Sequence, residues 1–126
     1  MSTYLFVYGT LKSEFVHEVT DRLQREARFV GNATIKGSIY DLGAHPGFVK
    51  DSKDLVHGEL YHIITPESFI WLDEYEEAPI LFLRREVKAT IMGEKVLAYV
   101  YEYPGHVYQY EKIEGGNYTK IPAASN

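Results

Sequence analysis

The chain has 126 residues, of which 45% are hydrophobic and 25% are charged, and this composition predicts one globular domain spanning residues 1–126. The absence of cysteine excludes disulfides, thiol catalysis and Cys-ligated zinc, and the net charge of −5 argues against a nucleic-acid partner, since phosphate binding depends on Lys and Arg. No apolar run approaches the ~20 residues of a membrane span and no signal-peptide pattern opens the chain, so we expect a soluble cytoplasmic protein that does not bind membranes.

The first predicted element is an uncharged apolar run, Tyr4 to Tyr8, that stops at Gly9. Its aromatic and β-branched residues predict a strand that is buried on both faces. Gly9 has no Cβ, so its backbone is free to turn and another group can approach it closely. Main-chain amides exposed after such a strand suit a carboxylate or a phosphate, although a strand that ends at glycine is most often followed only by a turn.

A mixture of helices and strands follows, without regular alternation. Ser13 predicts the N-cap of a helix that continues to about Arg25, because apolar residues recur every three or four positions. Strand patterns then cover residues 27–42, with interruptions at Gly31-Asn32 and Gly37, and residues 48–49, 55–64, 82–91 and 95–103, the last two joined as a hairpin. The polar tail from residue 104 onward is expected to wrap the surface. This order predicts an α+β fold in which about six strands form a small barrel-like sheet.

The second predicted helix carries the most informative residue of the chain. Thr65 suits its N-cap, Pro66 suits its first position, and the pattern continues to about Glu76. With a rotation of about 100° per residue, Glu76 lies between Leu72 and Phe69 on the apolar face of this helix. A carboxyl group that points into an apolar pocket has a raised pKa, which suits a general base near neutral pH.

Two other interpretations of Glu76 stay open from the sequence alone. In the first, the helix ends early and the Glu76 carboxylate lies in solvent. In the second, the carboxylate is buried because it pairs with Arg84 or Arg85.

Other chemistries find little support in the spacing of the polar residues. The five histidines show no metal-binding spacing such as His-Glu-x-x-His, so no metal site is expected. Tyr99, Tyr101 and Tyr103 share one face of a strand, but without interleaved Lys or Arg they predict packing in the barrel rather than stacking with bases. A glycosidase would need a second inward carboxylate, for which Glu59 is a loose candidate.

Several short motifs in a fixed order resemble those of one family. They are Tyr8-Gly-Thr-Leu11, Tyr40-Asp-Leu-Gly with Pro46-Gly47, Val56-His-Gly-Glu-Leu-Tyr61, Leu72-Asp-Glu-Tyr-Glu76 and Phe82-x-Arg84-x-x-Val87. Together they are similar to the γ-glutamylcyclotransferase-like proteins, which include the γ-glutamylamine cyclotransferases, from about residue 4 to residue 118. The chain departs from the family in three places. Glu77 and Ala78 follow the glutamate where the family usually has Gly, Phe82 precedes the arginine where it usually has Tyr, and Lys12-Ser-Glu-Phe15 replaces a loop that contains Gly in many members.

The resemblance implies a small closed mixed β-barrel of about six strands, flanked by two helices, with the site at the barrel mouth. It also implies an enzyme that needs no cofactor, cyclises the γ-glutamyl group of a small-molecule substrate to 5-oxoproline, and releases a free amine. The family's substrate loop corresponds to Tyr8, Gly9, Thr10 and Leu11, and its catalytic glutamate corresponds to Glu76. A function of another class stays open, namely a non-catalytic domain of the same fold that binds a small ligand or a partner.

Overall fold

A computed structural model describes residues 2–119 of the chain. Within this range it contains two helices and six strands, which form an α+β fold. The strands are β1 (Thr3–Val7), β2 (Ala27–Asp41), β3 (Pro46–Ile63), β4 (Leu83–Ile91), β5 (Glu94–Glu102) and β6 (Glu111–Lys112). The helices are α1 (Glu18–Glu26) and α2 (Ser68–Tyr75), and a short 3-10 turn covers Glu114–Gly116.

The strands close into a ring, as the family resemblance implied. β1 pairs with β3, β3 with β2, β2 with β4, β4 with β5, and β5 returns to β1. The β1–β5 pairing is parallel and the other four are antiparallel, so the sheet is mixed. A closed ring requires its long strands to bend, and β2 has register shifts between Phe29 and Gly31 and between Lys36 and Gly37. The sequence predicted interruptions at these two glycines.

The side chains of β1 alternate between two apolar layers. Phe6 and Tyr8 point into the barrel, whose interior also holds the buried residues Ala33, Ile35, Ile39, Phe48, Val56, Leu60, Ala89, Ala98 and Val100. Leu5 and Val7 point outward into a second layer, which the helices cover with Leu23, Phe69 and Leu72. Both faces of β1 are therefore buried, as its apolar sequence predicted.

Tyr99, Tyr101 and Tyr103 take part in the packing of the barrel, as predicted, and they lie on its outer face. Tyr101 is buried in the layer beneath the helices, and Tyr99 and Tyr103 pack against the same layer. Because side chains alternate along a strand, the neighbouring residues Ala98 and Val100 face the interior instead.

Helix α1 begins later than predicted, because Ser13 is not its N-cap. The Ser13 N–H and hydroxyl both donate to the Glu59 carboxylate, at 2.8 and 2.7 Å, which holds the chain in a turn. The helix starts at Glu18, with His17 as N-cap: the Nδ1 atom of His17 accepts from the N–H of Thr20, and the Thr20 hydroxyl oxygen accepts from the N–H of His17. His is not among the usual N-cap residues, so propensity alone did not indicate it.

Helix α2 is shorter than predicted but has the predicted orientation. Thr65 and Pro66 belong to a turn that precedes it, since the N–H of Ser68 donates to the Thr65 carbonyl at 3.0 Å. Leu72 is fully buried and Ile70 is 73% exposed, as the apolar face required. Glu76 is the C-cap residue and keeps helical backbone angles, so its side chain still points to the side that the pattern indicated.

Strand β3 is continuous over Pro46–Ile63, so the prediction of two separate strands at residues 48–49 and 55–64 is wrong. The other connections follow the sequence. Met92 and Gly93 form the predicted hairpin turn, with φ angles of 50° and 79°. The tail crosses the surface, where β6 pairs with the end of β2; its last part, residues 120–126, lies outside the described residues. Within residues 2–119, neither helix has the length and apolar character needed to cross a membrane.

Candidate active site

A small pocket lies where β1 ends, beside the C-terminal end of α2. It is lined by Phe6, Val7, Tyr8, Gly9, Thr10, Leu11, His45, Pro46, Glu76 and Tyr101. Its empty space is about 330 Å³, including the part that is open to solvent. All five residues that the resemblance assigned to the site line this single pocket.

The loop after β1 presents main-chain amides without partners. The N–H groups of Gly9, Thr10 and Leu11 find no acceptor among residues 2–119, and the loop is closed by a 3.0 Å bond from the N–H of Lys12 to the Gly9 carbonyl. Consecutive free amides of this kind make an anion-binding concavity. Gly9 is needed for space rather than for torsion, because its φ is not positive but a Cβ there would lie 2.9 Å from Pro46 Cγ.

Tyr8 supplies a wall of the pocket while its hydroxyl supports the barrel. The hydroxyl donates to the Tyr101 carbonyl at 2.7 Å and accepts from the Phe48 N–H at 3.0 Å, which joins three strands. Burial raises the pKa of Tyr8 well above its usual value. Its hydroxyl is therefore neutral and fully occupied by main-chain partners.

Glu76 is the acidic group of the pocket, and it has no hydrogen-bond or ion-pair partner among the described residues. The residue is half-buried, and burial raises the pKa of its carboxyl from 4.5 to about 7. The interpretation of Glu76 as a solvated residue beyond a frayed helix does not match this position. Near neutral pH the carboxyl is poised between its charged and neutral forms.

The interpretation of Glu76 as an arginine partner is also wrong. Arg84 makes a two-point contact with Asp73, with Nε–Oδ1 and Nη2–Oδ2 distances of 2.9 and 3.2 Å. Arg85 pairs with Glu102 at 3.1 Å. Both guanidinium groups are thus committed elsewhere, and neither pairs with the Glu76 carboxyl.

Glu59 is excluded as a second carboxylate of this pocket. It does not line the pocket, and besides its two bonds to Ser13 it accepts a 3.0 Å bond from the Tyr61 hydroxyl. Among the described residues, no three His, Asp or Glu side chains come together as a metal-binding group.

His45 is a pocket residue that the sequence analysis did not single out. Its ring packs on Phe82 with a centroid distance of 5.4 Å, and its Nδ1 atom is buried without a partner in the described chain. The only signal was its place directly before Pro46-Gly47, because a lone histidine in a turn-rich loop does not indicate a site.

Comparison with known families shows to which family this chain belongs. A family model described as "Gamma-glutamyl cyclotransferase, AIG2-like" matches residues 5–120. The chain belongs to this family. The Gamma-glutamylaminecyclotransferase A of Danio rerio is 32% identical over 108 residues, which cover 77% of this chain and 66% of that relative. The match thus covers slightly less than two thirds of the relative's length.

Solved structures of low sequence identity share the fold of this chain. The crystal structure of a mouse AIG2-like protein superposes with a TM-score of 0.74 at 21% identity, covering 86% of this chain and 82% of the mouse chain. An uncharacterized protein of Pyrococcus horikoshii superposes with a TM-score of 0.72 at 23% identity, covering 92% and 89% of the two chains. At these identities the likeness establishes the fold.

Proposed function

We propose that the protein is a cofactor-independent γ-glutamyl cyclotransferase, which converts a small γ-glutamyl amine or amide to 5-oxoproline and a free amine. Family membership supports this class of reaction. The observation that carries the proposal is one small pocket that contains both a carboxyl with a pKa near 7 and a run of unpaired amides.

Glu76 is the group for proton transfer in this proposal. The substrate's α-amine arrives as an ammonium, and it attacks only after it loses a proton. A carboxylate with a pKa near 7 accepts that proton and, once protonated, returns it to the departing amine. Positioned acid–base groups of this kind contribute about 10²–10⁴-fold in rate.

The amides of Gly9, Thr10 and Leu11 have the second role, which is to hold the substrate's α-carboxylate. Bond formation between the α-nitrogen and the γ-carbonyl carbon closes the five-membered ring, and the bond from that carbon to the leaving nitrogen then breaks. The ring nitrogen gives up its second proton to the released amine. Because both reacting groups belong to one molecule, holding the folded conformer lowers the barrier. An amide that also reaches the γ-oxygen would stabilise its developing charge.

A non-catalytic ligand-binding domain is the second candidate, and one observation favours it. Glu77 directly follows Glu76 where the family usually has Gly, and it adopts a left-handed backbone with a φ of 57°. A charged side chain therefore directly follows the pocket residue Glu76, at a position where the family usually has glycine.

The test is to incubate the purified protein with a panel of γ-glutamyl amides and to quantify 5-oxoproline. Glu76→Gln removes the titrating group, and Glu74→Gln, an exposed position on the same helix, is the matched control. We expect product from the wild type and from Glu74→Gln, and a loss of at least about 10²-fold in Glu76→Gln. A folded Glu76→Gln variant with full turnover would contradict the assignment, and binding of 5-oxoproline without any turnover would favour the binding domain.

A further inference from the structure

The residue that begins helix α1 also holds the main chain of the pocket loop. His17 Nδ1 accepts from the N–H groups of Val19 and Thr20 at 3.3 and 3.4 Å. Because Nδ1 acts as acceptor, the ring proton of the neutral imidazole lies on Nε2, which donates to the Thr10 carbonyl at 2.8 Å. One tautomer thus caps the helix and fixes the loop.

The last residue of helix α2 holds the side chain of the same loop residue. The hydroxyl of Tyr75 lies 2.8 Å from Thr10 Oγ1. The Tyr75 ring stacks on the ring of His17, with a centroid distance of 6.3 Å and an interplanar angle of 23°. The next residue along the chain is Glu76. Thr10 is therefore fastened both to the start of α1 and to the end of α2.

We propose that His17 and Tyr75 are positioning residues, which fix the amides of the Gly9–Leu11 loop relative to the Glu76 carboxyl. Neither residue lines the pocket, so they act on the substrate through Thr10. This inference rests on the proposed function, because it assigns the loop amides the task of holding the α-carboxylate.

Peptide geometry explains how a bond to a carbonyl can aim an amide. The Thr10 carbonyl and the Leu11 N–H belong to one planar trans peptide unit and point in opposite directions. When His17 holds the carbonyl on one side, the Leu11 N–H is directed to the other side. Without that bond the peptide unit is free to rotate, and the amide loses its alignment with a bound carboxylate.

Substitution of His17 by two different residues separates its two tasks. His17→Asn keeps a good N-cap, because the Asn side chain accepts from the first helical amides, but it is too short to reach the Thr10 carbonyl. His17→Ala loses the cap and the bond together. Tyr75→Phe keeps the ring stack and removes the hydroxyl from Thr10. His57→Asn, at an exposed histidine outside the pocket, is the matched control.

The measurements are KM and kcat for a γ-glutamyl amide, the Kd for 5-oxoproline, and the thermal unfolding midpoint. We expect His17→Asn and Tyr75→Phe each to raise KM and Kd by about three- to tenfold, the effect of one hydrogen bond, with kcat and the unfolding midpoint close to wild type. His17→Ala should raise both constants and also unfold at lower temperature. His57→Asn should match the wild type.

Three results would overturn the positioning role. The first is a His17→Asn variant whose KM and Kd equal those of the wild type, and the second is a Kd that rises only in variants whose unfolding midpoint also falls. The third is a wild-type protein that binds neither the γ-glutamyl amide nor 5-oxoproline. Failure of the proposed function gives a different pattern. If the wild type binds 5-oxoproline without turnover, or if Glu76→Gln stays active, the cyclotransferase mechanism fails while the Kd comparison still decides whether His17 positions the loop.

Discussion

The hydroxyl of Tyr101 donates to Asp73 Oδ1 at 2.7 Å, so a residue that lines the pocket is held by a carboxylate of α2. The same carboxylate takes both bonds from Arg84, whose guanidinium lies 4.2 Å above the Phe69 ring and 5.1 Å from the Tyr99 ring. A two-point ion pair stacked on aromatic rings requires the planar guanidinium of arginine. This cluster therefore joins α2, β4 and β5 around the pocket.

Arg84→Lys should lower the free energy of unfolding by about 1–2 kcal/mol, because lysine has neither the two-point contact nor the stacking surface. The control is Arg85→Lys, where the guanidinium makes one contact with Glu102 and its side chain is 59% exposed. An exposed pair of this kind is worth at most about 1 kcal/mol, so the control should lose less. Urea unfolding of both variants measures the difference, and equal losses would contradict the role of the cluster.

Glu76→Gln should make the protein more stable at high pH but not at low pH. The pKa of the carboxyl is about 7 in the folded protein and 4.5 otherwise, so the folded state binds more protons between these values. Stability therefore falls as the pH rises from 4.5 through 7, and Gln, which does not ionise, avoids this loss. We expect a gain of about 1–3 kcal/mol above pH 7, where the carboxylate is charged, and little difference near pH 4. Urea unfolding at pH 4, 6 and 8 checks this, and a constant difference would contradict it.

The proposed activity should increase with pH as Glu76 becomes a base. With a pKa near 7, about a tenth of the carboxyl is ionised at pH 6 and about nine tenths at pH 8. We expect kcat to increase close to tenfold over this range, measured as the rate of 5-oxoproline formation at saturating substrate. A profile that is flat from pH 5 to pH 8 would exclude Glu76 as the titrating base.

Glu77→Gly should stabilise the protein and change its activity. Glu77 has a φ of 57°, and left-handed angles cost a non-glycine residue about 1–2 kcal/mol, part of which glycine regains. Met92, with a φ of 50° in the distant hairpin turn, provides the matched variant Met92→Gly. We expect both to gain up to about 1 kcal/mol in stability, whereas only Glu77→Gly, beside the proposed base, should alter kcat or KM. A loss of stability in Glu77→Gly would show that the Glu77 side chain makes a favourable contact.

Tyr8→Phe should destabilise the barrel, since it removes the hydroxyl that bonds to both the Phe48 N–H and the Tyr101 carbonyl. We expect each of these two hydrogen bonds to contribute about 0.5–1.5 kcal/mol. Tyr108→Phe, whose side chain is 85% exposed, is the control and should be neutral. Thermal unfolding measures both, and a neutral Tyr8→Phe would show that other groups satisfy these partners.

Sequence patterns predicted the elements well where a periodic apolar face or a glycine decided them. The strand before Gly9, the shifts of β2 at Gly31 and Gly37, and the direction of Glu76 all follow from local backbone rules. The start of α1 was missed because Ser13, a good N-cap residue, is occupied by Glu59, which lies 46 positions further along the chain. Helix propensity depends on neighbouring residues, so it does not predict a contact with a residue so far along the chain.

The sequence by itself determined the family, the α+β barrel and five of the residues that line the pocket, namely Tyr8, Gly9, Thr10, Leu11 and Glu76. Only the tertiary structure decided that Arg84 pairs with Asp73 rather than with Glu76, that the tyrosines of β5 lie outside the barrel, and that His17 reaches the Thr10 carbonyl. The physical reason is that periodicity fixes which way a side chain points, because it depends on neighbouring torsions. The residue that the side chain contacts depends instead on how elements far apart in the sequence pack together, and a local sequence pattern has no information on that packing.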